Sequence, residues 1–310
     1  MMKVLITGGA GFIGSHITEE LLLQHHQVAV VDNLSSGKRS QVPLEADFYE
    51  EDIRKRGLDN IFSDFQPDCV IHLAAQVSVS KSLQAPFKDG EENILATINV
   101  LQCCVKHHVK KLIFSSTAAL YGSPKYLPID EQHGVKPISF YGLSKKIAES
   151  YIKMFSDIHG LTYTILRYAN VYGMKQDANG EAGVVSTFIE RLLTNQPLHI
   201  FGDGTQTRDF IFVKDVAKAN VAALTKGENE IMNISTEKQT SILDIVNELK
   251  AITYSDISPV FDHERQGDIK SSCLSNKKAA HVLKWKPVYS LTNGLKETIG
   301  FYQKEMIASS

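Results

Sequence analysis

No stretch of this 310-residue chain is long and apolar enough to span a bilayer as a helix. Lys and Arg form no long run and the formal net charge is only −2, so nucleic acid finds no electrostatic footprint. An anionic ligand therefore needs a local pocket of positive charge. The N-terminus runs from Met2-Lys3-Val4-Leu5-Ile6 directly into a glycine turn, without the apolar core and small-residue cleavage site of a signal peptide. A cytoplasmic setting is expected. Cysteine is scarce: Cys69, Cys103, Cys104 and Cys273 form no C-x-x-C pair and have no histidine at zinc spacing. They read as buried small side chains in a reducing compartment, and no metal site is expected. Internal repeats and low-complexity tracts are absent as well.

What is present is ordinary for a globular protein, with 43% hydrophobic and 22% charged residues. The length suits one large α/β domain or two unequal ones. Short apolar runs alternate with amphipathic stretches through the first half. Val4–Thr7, Val28–Asp32 and Thr162–Tyr168 read as strands, and Gly11–Gln24, Asn93–His107 and Tyr141–His159 as helices. Cys69–Ala74 and Lys111–Ser115 are apolar without alternation, as in strands buried on both faces. This rhythm predicts an α/β fold, a Rossmann-type doubly wound parallel sheet. After Asn170, Gly, Asn and Asp become frequent and the elements shorten. We read 1–170 as a dinucleotide-binding domain and 171–310 as a smaller C-terminal substrate-binding region, with the chain crossing back at least once.

Thr7-Gly8-Gly9-Ala10-Gly11-Phe12-Ile13-Gly14 lies between the first strand and the first helix. Gly9, Gly11 and Gly14 satisfy G-x-G-x-x-G, and Gly8, Gly11 and Gly14 satisfy the wider G-x-x-G-x-x-G. A helix N-terminus presents free N–H groups and a positive dipole end to a pyrophosphate, and glycines let the backbone approach it. Asp32 ends the second strand, where a carboxylate accepts bonds from ribose hydroxyls and repels a 2′-phosphate. The cofactor expected is NAD rather than NADP. The competing reading of Asp32 is a turn-capping Asp. Lys38 and Arg39 are possible holders of a 2′-phosphate, discounted because Asp32 comes first.

Tyr141 and Lys145 stand four residues apart, on one face if the segment is helical. A cation beside a phenol favours phenolate, which can take a proton from an alcohol as hydride leaves the carbon. Such pairs arise by chance. Here the pair follows a dinucleotide turn and a strand ending in Ser115-Ser116-Thr117, whose hydroxyls can bridge Tyr141 and a substrate oxygen.

At this point the chain resembles the extended short-chain dehydrogenase/reductases that act on nucleotide sugars. The likeness runs nearly full length, through T-G-G-A-G-F-I-G, V-D-N-L, H-L-A-A-Q, F-S-S-T-A-A-L-Y-G, Y-G-L-S-K, L-R-Y-A-N-V-Y-G, F-G-D-G-T-Q-T-R-D-F and R-Q-G-D. The resemblance implies a cofactor set of Gly8, Gly11, Phe12, Ile13, Gly14, Asp32 and Asn33. It puts Asp52-Ile53 beside the adenine, Leu73-Ala74-Ala75 along the cofactor, Asn93 in support, and Tyr168 near the nicotinamide. Family dehydratases carry an Asp-Glu pair after the active-site Thr, and decarboxylases a Glu. Thr117 is followed instead by Ala118-Ala119, which leaves 4-epimerisation and a closest likeness to the UDP-glucose 4-epimerases. By that likeness Tyr141 is the acid/base on O4 and Lys145 tunes it and binds the nicotinamide ribose. Thr117 is the O4 hydrogen-bond partner.

The same likeness assigns Arg208 and Arg265 to the diphosphate and ribose, Asn170 to the diphosphate, and Asp268 to the uridine ribose. Gly183-Val184-Val185 and His199-Ile200-Phe201 match uridine-side segments. Without those motifs each Arg reads as a surface ion pair. His25-His26 and His107-His108 read as surface residues at helix ends. Ser272 stands where some hexose-restricted epimerases have Tyr, so UDP-GlcNAc joins UDP-glucose as a candidate substrate. A UDP-uronate, a true dehydrogenase and a non-catalytic NAD-binding regulator stay open as alternatives. The Asn93–His107 and Tyr141–His159 helices resemble the pair that builds a four-helix homodimer interface in the family.

Overall fold

The computed structural model describes residues 1–177, 183–264 and 269–309. The first half supplies strands β1 (Lys3–Thr7), β2 (Gln27–Asp32), β3 (Asp47–Glu50), β4 (Cys69–His72), β5 (Lys111–Thr117) and β6 (Thr162–Tyr168). Glu230–Ile234 returns from the second half to pair with β6. Among the described residues these seven make one parallel sheet, ordered Glu230–Ile234, β6, β5, β4, β1, β2, β3. Strand order reverses beside β1, between β2 and β4. The carboxyl ends of strands at such a switch point form the usual ligand crevice of doubly wound sheets.

The apolar runs lack alternation because both faces of the sheet are covered. Val4, Ile6, Ile71, Ile113 and Leu166 pack in one core with Ile17 and Leu21 of helix α1 (Phe12–Leu23) and Val216 of the Val213–Ala223 helix. Leu5, Val70, Leu112 and Ile165 face the other way, toward Phe62, Val100 and Ile152. A third core, with Phe188, Ile189, Phe212, Ile245 and Leu295, organises the second half. No helix among the described residues is long and apolar enough to cross a membrane.

In the first half the edge strand β3 and the short helices Gly57–Phe65 and Val79–Gln84 escape the sequence reading. The helix expected from Asn93 extends further back. A helical run begins at Pro86, a residue suited to a first helical turn, and passes through a π-helical turn at Glu91–Leu95 before Ala96–Lys106. His107 is not a free surface residue, since its Nε2 lies 2.8 Å from Asp59 Oδ1. All four cysteines are buried and unpaired.

One polar network crosses the sheet–helix boundary. Arg167 of β6 and Glu149 of the Phe140–His159 helix are both buried. Arg167 Nε donates to Glu149 Oε1 at 2.9 Å, and Nη2 to Oε2 at 2.6 Å. Ser116 Oγ donates to the same carboxylate at 2.6 Å. Arg167 Nη1 reaches the Tyr121 hydroxyl, which donates to Asn233 Oδ1 on the returning strand. Arg167→Leu should leave the buried Glu149 carboxyl without its cation partner. The expected loss is about 3–5 kcal/mol, read from denaturant midpoints. Adding Glu149→Leu should recover part of it, and an undiminished stability in the single variant would contradict the assignment.

Candidate active site

An elongated cavity of about 510 Å³ opens at the carboxyl ends of the central strands. That size suits a small-molecule site. The glycine turn forms its floor. Gly8 has φ +75°, and a Cβ there would lie 2.7 Å from the Ala74 backbone nitrogen. A Cβ on Gly14 would collide with the Gly8 carbonyl oxygen and sit 2.7 Å from Gly9 Cα. Only glycine lets the turn fold so tightly against the next strand. The first turn of α1 opens at Gly11 with no side-chain cap, so its N–H groups face the cavity unclaimed by a capping residue. This cradle fits a pyrophosphate.

Asp32 caps the glycine turn and borders the cavity. Its Oδ2 accepts from Ala10 N at 3.0 Å and its Oδ1 from Leu34 N at 2.9 Å, so it does cap the turn. It also lines the cavity. Burial pushes its carboxyl up from the ordinary value, against those two N–H bonds. Asn33, Asp52 and Ile53 continue the same wall. The Asp52 carboxylate is held well below the usual range by Arg54, whose Nε donates at 2.9 Å and Nη2 at 2.5 Å. Lys38 also reaches the wall, whereas the Arg39 guanidinium stacks 4.6 Å from the Phe48 ring centroid.

Leu73, Ala74 and Ala75 lead to the other end, where Thr117, Tyr141, Lys145 and Tyr168 line the cavity with Ser115 and Ser116. Tyr141 stands in the first turn of the Phe140–His159 helix, which Ser139 caps through Gly142 N at 3.1 Å. Thr117 shares the cavity wall with Tyr141, and its side chain favours the ionised phenol. Ala118 and Ala119 follow in a single 3₁₀ turn and carry no acid or base. The Tyr168 hydroxyl is held by Asn220 at 3.0 Å.

One expectation needs correction. The Tyr141 phenol is raised and not lowered in this arrangement. Burial pushes Tyr141 up to about 12, and Thr117 opposes it only in part. The Lys145 ammonium donates instead to the Ser115 carbonyl at 2.8 Å, and burial brings it down to about 8. Helical spacing aligns the two residues, but the backbone of β5 captures the ammonium.

Asn93 stands behind the cavity wall, in a supporting position and not in the lining. Its buried amide bonds Gln76 on both backbone sides, at 2.8 Å to N and 2.9 Å to O, and donates to Ser144 Oγ at 3.0 Å. Of the described residues assigned to the nucleotide end of the substrate, Asn170 and Gly183 border the cavity. Val184 and Val185 pack with the third core. His199 Nδ1 lies 2.8 Å from Asp262 Oδ2, and Phe201 shares that strand. Arg208 donates to the Thr207 carbonyl at 2.9 Å, and Ser272 N donates to the same residue's carbonyl at 3.1 Å. None of these six borders the cavity. Arg265 and Asp268 lie outside the described residues.

Some lining residues were not anticipated, among them Ser36, Arg54, Lys81, Lys175 and Gln176. For Ser36, Arg54, Lys175 and Gln176 the position in loops just beyond strand carboxyl ends was the available signal, whereas Lys81 lies in the short helix Val79–Gln84.

Residues 4–235 match the model of the NAD dependent epimerase/dehydratase family. A putative UDP-glucose 4-epimerase of Methanocaldococcus jannaschii is 44% identical over 299 residues, covering 96% of this chain and 97% of that protein. The crystal structure of a UDP-glucose 4-epimerase with UDP-glucose from Thermotoga maritima superposes with a TM-score of 0.96 at 45% identity, over 98% of this chain and 100% of the other. A UDP-N-acetylglucosamine 4-epimerase from Methanobrevibacter ruminantium, in complex with UDP-N-acetylmuramic acid, gives a TM-score of 0.94 at 35% identity, over 98% and 99%.

The cradle leads to a direct test. NAD at about 100 times its Kd should stabilise the native protein by about 2.7 kcal/mol. Gly14→Ala should fold yet lose most of the NAD-dependent rise in melting temperature. A full rise in that variant would remove the turn from cofactor binding.

Proposed function

The chain belongs to the NAD dependent epimerase/dehydratase family, and we propose that it interconverts UDP-sugars at C4 through a retained NAD. The observation that carries this reading is the single cavity that joins a pyrophosphate cradle to Thr117, Tyr141 and Lys145. The Ala118-Ala119 pair beside it offers no side chain to eliminate water or assist loss of carbon dioxide.

In this reading Gly8, Gly11, Phe12, Ile13 and Gly14 hold the pyrophosphate, Asp32 and Asn33 the adenosine ribose, and Asp52 and Ile53 the adenine. Bound NAD supplies the hydride acceptor and donor, and its positive nicotinamide ring supplies charge that favours a phenolate nearby. Tyr141 takes the O4 proton as C4 becomes a ketone and returns it when the carbon is reduced on its opposite face. Thr117 holds O4 in line from the cavity wall it shares with Tyr141. An ammonium has three donors, and Lys145 uses one on Ser115, so two remain for a ribose hydroxyl. Tyr168 closes the nicotinamide end. The keto sugar must turn over between the two half-reactions, which requires a grip on the nucleotide rather than the pyranose. Asn170, Arg208, Arg265 and Asp268 are assigned to that grip, with Gly183, Val184, Val185, His199 and Phe201 on the uridine side.

We further propose a homodimer through the Phe140–His159 helix and the helical stretch before Lys106. Phe87, Leu95, Leu143, Met154 and Ile158 are large apolar residues exposed on those elements. Light scattering should return twice the 34.4 kDa chain mass. Four unpaired buried cysteines suit the reducing cytoplasm, where we place the protein.

Incubation with a panel of UDP-sugars and separation of products by chromatography tests reaction and sugar together. Epimers should form without net NADH, and Tyr141→Phe should lower kcat by about 10²–10⁴-fold. Full activity in that variant would refute the chemistry. Ser272→Tyr should depress turnover of UDP-GlcNAc and spare UDP-glucose. Equal UDP-GlcNAc turnover in wild type and variant would remove Ser272 as the residue that admits the N-acetyl group.

A further inference from the structure

The residues assigned to the nucleotide end of the substrate come from distant parts of the chain, and one buried side chain ties their segments together. Asp209 directly follows Arg208 and is 1% exposed. It does not line the cavity. Its Oδ1 accepts from Thr236 N at 2.9 Å and from Thr236 Oγ1 at 2.7 Å. Its Oδ2 accepts from Glu237 N at 3.0 Å and Leu274 N at 3.3 Å, with the Cys273 thiol at 3.8 Å. Three of these donors are backbone N–H groups, which can only donate. Both oxygens must therefore accept, which a carboxylate does and a side-chain amide cannot.

The main chain around Asp209 completes the junction. Its carbonyl accepts from Asn170 N at 2.9 Å, and the next residue begins the parallel pairing of Phe210–Phe212 with Asn170–Tyr172. One residue before Arg208, Thr207 N donates to the Lys270 carbonyl at 2.9 Å. The Thr207 carbonyl accepts from Ser272 N at 3.1 Å and from Arg208 Nη1 at 2.9 Å. Three segments that carry Asn170, Arg208 and Ser272 are thus joined through residues 207–209, and the Asp209 side chain locks the last of them to the turn after the returning strand. A lost acceptor at Asp209 would leave a buried N–H without a partner, which only movement of these segments can relieve.

We propose that Asp209 is a positioning residue for the nucleotide half of the substrate site. It fixes Asn170, Arg208 and the Ser272 segment relative to one another and takes no part in holding NAD. None of the partners named above belongs to the residues assigned to the cofactor. The proposal rests on the reading in which Asn170 and Arg208 grip the nucleotide.

Asp209→Asn keeps the size and turns one acceptor into a donor that meets a backbone N–H. UDP titrated calorimetrically into the NAD-loaded variant should bind at least about tenfold more weakly than in the wild type. KM for UDP-glucose should rise by a similar factor while kcat changes far less, as for a loss of uniform binding. The NAD-dependent rise in melting temperature should stay at its wild-type size. A purely structural role would instead lower the melting temperature and leave UDP affinity unchanged in the folded protein, and that result overturns the proposal. Should Asp209→Asn not fold, Thr236→Val removes only the hydroxyl donor and should raise KM in the same direction. Thr236→Ser keeps that hydroxyl and should hold the wild-type KM. Equal KM in the Val and Ser variants overturns the proposal. Arg208→Ala separates the two levels of the argument. A fall in UDP affinity there but not in Asp209→Asn sinks Asp209 alone, whereas a fall in neither sinks the assignment of the nucleotide grip.

Discussion

Two backbone segments meet at the heart of this molecule with no room for a side chain between them. Gly8 turns against the backbone of Ala74, and Gly14 brings the start of α1 against the Gly8 carbonyl. From that approach follow the exposed N–H groups at the α1 terminus, the reach of Asp32 to Ala10 N, and the cavity between them. Beneath it, Thr7, His72 and Thr97 tie β1, β4 and the Ala96–Lys106 helix into one hydrogen-bonded row. Loosening the turn would release the cofactor cradle and the strand ends that carry the reacting groups together.

The opposite end of the cavity depends on charge rather than on close packing. Lys145 is buried, and its ammonium is stabilised by the Ser115 carbonyl and by two carboxylates. Glu149 is matched by Arg167 in a bidentate pair, while the Asp89 carboxyl accepts from the Gln76 and Asn93 amides. The result is a phenol that holds its proton in the resting protein and needs added positive charge to release it. A site built this way has its acid and base prepared before substrate enters, which limits reorganisation during the reaction.

Legibility in the sequence followed how local each feature is. The glycine turn, Asp32 and the buried strands β1, β2, β4, β5 and β6 each lie within one short segment, and their apolar or glycine content shows directly. The strand Asp47–Glu50 is half polar because it sits at the sheet edge, where only one neighbour pairs with it. The π-helical turn at Glu91–Leu95 has no periodicity of its own and was invisible. The residues assigned to uridine come together only through distant pairings such as Thr207 with Ser271 and His199 with Val260. Spacing also placed Tyr141 and Lys145 on one face without revealing that the Ser115 carbonyl, from another strand, takes the ammonium. Backbone acceptors leave no mark on a sequence.

The central claim is that one hydrogen leaves C4 and returns to the same carbon within one site. UDP-glucose carrying deuterium at C4 tests it directly. Conversion by the protein in ordinary water should give UDP-galactose with the deuterium still on C4 and no NADH in solution. Loss of the label to water, or NADH accumulating with a stable oxidised sugar, would contradict the account.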